Sequence, residues 1–218
     1  MRAEAALLAF CVALPALGQG VATRFEKLDF EEYERQKAAK GVVLLAVNWN
    51  RSWGCGGFEN AQLRSIGFDR LPLTKTTDEP PPDVLLDDAP LLLTKPGFDD
   101  YALVVEPGEY AFSTFEIKAA RSVNDIGFFR GKRSVLMKGG EALAGSFTVA
   151  AGEMIYIGHF ALTCSGGPAP WRYYLKDRAG LDEYLAKVKA KFRGLDAEKA
   201  QYRLFRTTKM GQDYALPP

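Results

Sequence analysis

The sequence predicts a mainly-β sandwich with two flanking helices, near residues 30–40 and 180–193, and three observations carry that prediction. One short pattern occurs twice, as Val105-Glu-Pro-Gly108-Glu109-Tyr-Ala-Phe112 and as Val149-Ala-Ala-Gly152-Glu153-Met-Ile-Tyr156. In each, a β-branched run ends in a turn whose Gly can take φ > 0, a Glu follows, and an aromatic stands four residues beyond the Gly. Two long apolar runs, Val42 to Trp49 and Met154 to Leu162, have the β-branched content of buried strands. Helical periodicity is clearest near the C-terminus, where Leu181, Tyr184, Leu185, Val188 and Phe192 form one apolar stripe.

The first residues read as a secretory signal peptide over 1–18. Arg2 precedes the apolar stretch Ala5 to Leu14, Pro15 breaks it, and small Ala16 and Gly18 precede Gln19, so cleavage is expected after Gly18 or near Ala22. The stretch is shorter than the roughly 20 residues that span a bilayer, so no transmembrane segment is expected in the mature chain. Removing it takes away Arg2 and Glu4 and leaves the net charge at +1. So balanced a charge offers no field to draw nucleic acid or an anionic membrane. The expected location is therefore extracytoplasmic, in the periplasm or outside the cell. Residues 19–211 suffice for one domain, with a Pro-rich surface excursion over 72–100 and a disordered tail at 212–218.

Taken in order, the mature chain opens with a helix from about Phe30 to Lys40. Asp29 can cap it, Glu32 is its box partner, Leu28 and Tyr33 hold the staple positions, and Gly41 can end it. The strand Val42 to Trp49 follows, then a tight path through the glycines around Cys55, and an extended piece near Ala61 to Leu71. Pro80-Pro-Pro82 marks the surface excursion, which contains one short apolar strand at Leu91 to Thr94. Beyond it, Tyr101–Val105 reads as one strand and Glu109–Ile117 as another, with Pro107 and Gly108 as the middle residues of the turn between them. Phe128 to Arg133 reads as a loop, Val135–Met137 as a short strand, and Phe147–Val149, Met154–Leu162 and Trp171–Leu175 as further strands. The helix near 180–193 carries Asp182 and Glu183 in its first turn, a Glu183–Lys187 pair and Gly194 as its stop. Asp196 to Phe205 offers one more short helix.

Cys55 and Cys164 are the two cysteines left after signal-peptide removal, and in an oxidising compartment they are expected to pair, the alternative being two buried thiols. Catalytic parts are scarce. The sequence has no Gly-x-Ser-x-Gly elbow, no phosphate-cradling loop and no His pair at metal spacing, and His159 is its single histidine. Cys55, His159 and Cys164 could together ligate zinc, but they lack zinc-motif spacing, so no metal and no cofactor is predicted. Trp49, Trp53 and Trp171 could stack on sugars or grip peptide segments, and their plainer role is to fill the core. If the cysteines bond, Trp49, Trp53, His159 and Trp171 come together as a candidate binding surface.

At Val105 to Tyr110 and Gly152 to Gly158 the chain resembles a loose group of uncharacterised bacterial extracytoplasmic proteins, often lipoproteins. They carry a Val-x-Pro-Gly-x-Tyr turn and a later Gly-Glu-x-x-Tyr-Ile-Gly strand, and the likeness covers roughly Tyr101 to Phe192. It implies an immunoglobulin-like or transthyretin-like β-sandwich with no activity to carry over. The resulting expectation is a non-catalytic binding or structural module of the bacterial cell envelope, acting on an envelope protein or a glycan. The competing class is a secreted hydrolase whose carboxylates converge only in the fold.

Overall fold

In the computed structural model, which describes residues 22–90, 96–207, 209–212 and 214–217, the chain folds as a mainly-β sandwich with flanking helices. The expected signal peptide (1–18) and the expected short strand Leu91–Thr94 lie outside the described residues. Near the N-terminus come β1 (Thr23–Arg24) and α1 (Phe30–Gln36), whose Asp29 cap accepts from the Glu32 backbone N–H at 2.7 Å. Residues 37–40 turn rather than extend α1 to Lys40 as the sequence suggests. The first half of the chain continues with β2 (Gly41–Val47), β3 (Arg51–Cys55), β4 (Phe58–Leu71), β5 (Val84–Leu86) and β6 (Asp99–Val105). Then follow β7 (Gly108–Ser122), β8 (Asp125–Gly131), α2 (Arg133–Leu136), β9 (Met137–Lys138), β10 (Glu141–Ala142) and β11 (Ser146–Val149). The last elements are β12 (Met154–Thr163), β13 (Ala169–Tyr173), α3 (Arg178–Lys191) and β14 (Gln201–Tyr202).

Two sheets make the sandwich. One runs β1-β6-β2-β12-β13, with β14 also on β12; the other runs β11-β7-β4-β3, with β5 on β4 and β8 on β7. Residues alternate between faces along a strand, and β2 shows why it reads as a continuous apolar run. Val43, Leu45 and Val47 enter the core between the sheets, beside Ile66, Phe68 and Phe112. Leu44 and Ala46 face the other way, beneath Leu181, Tyr184, Leu185 and Val188 of α3. Both faces are buried, so no polar position interrupts the run. β2 and β12 pair in parallel, whereas the sheets of an immunoglobulin-type sandwich are antiparallel, and the finer identity implied by the resemblance is not carried forward. Among the described residues no helix is long and apolar enough to cross a membrane.

Four expectations need correction. Phe128–Arg133 is not a loop: Phe128 to Gly131 belong to β8, which pairs along β7. Val135 and Leu136 lie in the helical turn α2 rather than a strand, because the Asp78 carboxylate accepts from the Ser134 backbone N–H (2.9 Å) and holds the start of that turn. Asp196 to Phe205 holds a short 3-10 turn and β14 instead of a helix proper. The Pro-rich excursion also contributes to the core, since Val84, Leu86 and Ala89 are buried in it and β5 pairs with β4. In the stretch read as a disordered tail, Tyr214 stacks on Tyr174 with ring centroids 4.0 Å apart, and Leu216 packs beside the helix-covered cluster.

Candidate functional site

Cys55 and Cys164 form a disulfide with their Cα atoms 4.8 Å apart. Both sulfurs are consumed by that bond, so neither can be a thiolate ligand, which removes the zinc reading with His159. The bond ties the β3–β4 hairpin to the loop after β12, and the two backbones meet so closely that a Cβ on Gly56 would lie 2.5 Å from the Gly167 Cα. Glycine is required there by space.

The bond does not gather the four predicted surface residues. Trp49 is 2% exposed; its indole N–H donates to the Tyr101 hydroxyl at 2.7 Å, and its carbonyl accepts from Gln62 Nε2 at 2.8 Å. It is a core residue. Trp53 is 66% exposed, but it stands on β3 in the other sheet, with the Arg51 guanidinium 5.8 Å from its ring centre. His159 and Trp171 do share a face.

That face is set by a bulge in β12. Tyr156 pairs with Leu44, yet His159 pairs with Ala46, so β12 spends one extra residue between them. Gly158 occupies the irregularity at φ 120°, where a Cβ would press to 2.9 Å from the Arg172 side chain. Strict alternation would turn His159 into the inter-sheet core; the bulge sends it to the outer face of the sheet, on the side of α3. Across β13, Tyr173 lies opposite His159 and Trp171 opposite Ala161, so Trp171, Tyr173 and His159 occupy one face. On the other side, Ala46 of β2 pairs with Asp100 of β6. Asp100 and His159 therefore flank small Ala46, two strand spacings or roughly 9.5 Å apart at the backbone.

His159 is half-buried and ringed by aromatics, with Phe98 at 4.8 Å and Tyr184 at 5.0 Å between ring centres. The Tyr156 hydroxyl is hydrogen-bonded to its Nδ1. Burial pushes the imidazole down to about 4, a shift that nearby Asp100 opposes and Lys187 assists. Burial also raises Tyr156, so the phenol keeps its proton, and its hydroxyl donates to Nδ1 or accepts from it according to the imidazole tautomer. At neutral pH the histidine is thus an uncharged hydrogen-bonding group.

Asp100 is 3% exposed, and its partners are unequal. Oδ2 accepts from Lys187 Nζ at 2.8 Å and the backbone carbonyl from Lys191 Nζ at 2.6 Å, while Oδ1, itself buried, has no hydrogen-bond partner among the described residues. The sequence suggested Glu183 as the partner of Lys187; the lysine reaches the sheet instead. The buried Tyr184 hydroxyl, raised by burial and by Asp100, also lacks a hydrogen-bond partner among the described residues. Composition and spacing gave no sign of Asp100, Phe98 or Tyr184 here. Tyr173 alone had a signal, standing two residues from Trp171 in a predicted strand.

The candidate site is therefore an aromatic face of the sheet carrying Trp171, Tyr173 and a neutral histidine, with the buried Asp100 carboxylate two strands from that histidine. Among the described residues it holds no nucleophile poised against a base. Comparison of the chain with family models, curated proteins and solved structures returns no match.

Proposed function

We propose that the protein is a non-catalytic binding module of the extracytoplasmic space, part of the bacterial envelope, and that its ligand is a glycan held on the face of Trp171, Tyr173 and His159. The observation that carries this reading is the sharing of one sheet face by Tyr173, 41% exposed, half-buried Trp171 and half-buried His159, an uncharged hydrogen-bonding group. Flat aromatic faces receive the apolar faces of sugar rings, and a few convergent polar atoms fix the orientation of the hydroxyls. The disulfide supports an oxidising compartment.

The hydrolase alternative asks for two facing acids with displaced proton affinities. The buried carboxylate held below its usual value is Asp69: burial works against the shift, but hydrogen bonds from Arg133, Ser113 and Lys75 outweigh it. Those partners occupy it fully. The test is calorimetric titration of the protein with soluble envelope glycan fragments. Binding weakened at least tenfold by Tyr173→Ala and unchanged by Trp53→Ala is expected. Cleavage of the fragments, or equal binding by the Tyr173 variant, would overturn the assignment.

A further inference from the structure

β8 stands apart from the rest of the sandwich. From Asp125 to Arg130 each of its residues is exposed, so both of its faces meet solvent, and it pairs with β7 alone among the described residues. Its side chains are not those of a solvated edge: Ile126, Phe128 and Phe129 are 45%, 49% and 41% exposed. Natural edge strands are protected by proline, by inward-pointing charge or by being short. The stretch from Ile126 to Phe129 has none of these protections, and the strand carries charge only near its ends, on Asp125 and Arg130.

We propose that β8 pairs antiparallel with β8 of a second copy of this chain, about a two-fold axis through Phe128. A perpendicular two-fold axis maps each sheet face onto itself, so it must pass through a residue and its own copy. The register through Phe128 sets the two Phe128 rings side by side. It places Gly127 opposite Phe129 at both symmetric positions, where a ring covers the bare backbone of a cross-strand glycine. Ile126 then faces the aliphatic stem of Arg130, and Asp125 reaches the Gly131–Lys132 end of the other strand, acid against base. Centring on Gly127 instead would leave two glycines opposed and set Asp125 against a phenyl ring.

The charge order favours a second copy over other occupants. An acidic start and a basic end on one strand are complemented by the same strand run backwards, whereas an anionic bilayer would repel Asp125. The pair would fuse the two six-stranded sheets edge to edge and leave the face of His159 and Trp171 free on each protomer. Two platforms on one particle raise avidity for a repetitive ligand without new contacts.

Light scattering of the full chain over a concentration series should show a species of twice the chain mass. Phe128→Lys, which opposes two like charges at the axis, should return it to a monomer that still unfolds cooperatively. An independent arm uses cysteine trapping in a Cys11→Ser background. Directly opposed residues have Cα atoms about 4.5–5.5 Å apart, within disulfide range. Phe128→Cys should therefore cross-link the dimer on mild oxidation, and Ile126→Cys should not. A monomer at every concentration, cross-linking through Ile126→Cys in place of Phe128→Cys, or a monomer that binds anionic phospholipid vesicles through this hairpin would overturn the proposal.

Discussion

Among the described residues two aspartates are buried, and they are treated in opposite ways. Asp69 on β4 is fully buried with both oxygens engaged: Oδ2 accepts from Arg133 Nε at 2.7 Å, Oδ1 from Lys75 Nζ at 3.0 Å and from Arg133 Nη2 at 3.3 Å. The two cations then continue outward, Arg133 to the carbonyls of Thr77 and Pro80, Lys75 to that of Pro81 and to Asp83. The Pro-rich excursion, which has few ladder hydrogen bonds of its own, is stapled to the sheet through this ion network. Asp100 on β6 has a lysine on one oxygen and, among the described residues, no partner on the other, and that lysine's side chain is 60% exposed. A buried charge surrounded by donors fixes architecture. One left half-satisfied beneath a covering helix is tolerated at some cost in stability.

The sharpest way to break the comparison is Arg133→Ala. It leaves the Asp69 carboxylate buried with a single lysine, and removing one partner of a buried pair costs about 3–5 kcal/mol. Urea unfolding should show that loss. A decrease below about 1 kcal/mol would mean that the network does not hold the excursion.

Acid titration separates the two regions by their pH windows. His159 has a folded-state value lowered from 6.5 to about 4, so between those limits the unfolded chain binds the extra proton. Stability contributed by the neutral imidazole is complete above 6.5 and is lost as pH falls toward 4, on the order of 2 kcal/mol for a half-buried group. His159→Gln should flatten the stability curve in that window. Asp69 is lowered from 3.8, so its share is present above 3.8 and is lost only as pH falls through its lower folded-state value. The Arg133→Ala variant should lack that second, more acidic phase while keeping the first. A single phase, abolished by either variant, would show the two regions to be one network.

Lys187→Ala should cost about 1 kcal/mol, because the lysine is mostly solvated and its pair with Asp100 is screened. A cost equal to that of Arg133→Ala would place Asp100 in the same structural class as Asp69.

The difference between the regions also marks where sequence reasoning stops. β2, the long strand β12 and the stripe of α3 were legible because each is written locally, as an apolar run or a 3.6-residue period. The Asp29 cap and the cysteine pair were legible too, one from a three-residue spacing and the other from a count of two once the expected signal peptide is set aside. β8 was misread as a loop because both its faces are exposed: with no buried side there is no alternation, and Gly127, Arg130 and Gly131 look like turn residues. Val135 was misread because its helical turn is started by Asp78, 56 residues away. Both aspartates were silent for the same reason. Asp69 takes its meaning from Arg133, 64 residues on, and Asp100 from a helix that begins at Arg178. His159 could be singled out as the sole histidine, but its facing depends on a bulge that only the register with β2 reveals.

Asp100→Asn tests the central distinction most directly, through its urea unfolding free energy beside that of the wild type. Asparagine keeps the shape, removes a buried charge and can still accept from Lys187, so stability is predicted to stay within about 1 kcal/mol of the wild type or to rise. A loss of 3 kcal/mol or more would contradict the account, because it would make Asp100 a structural aspartate like Asp69.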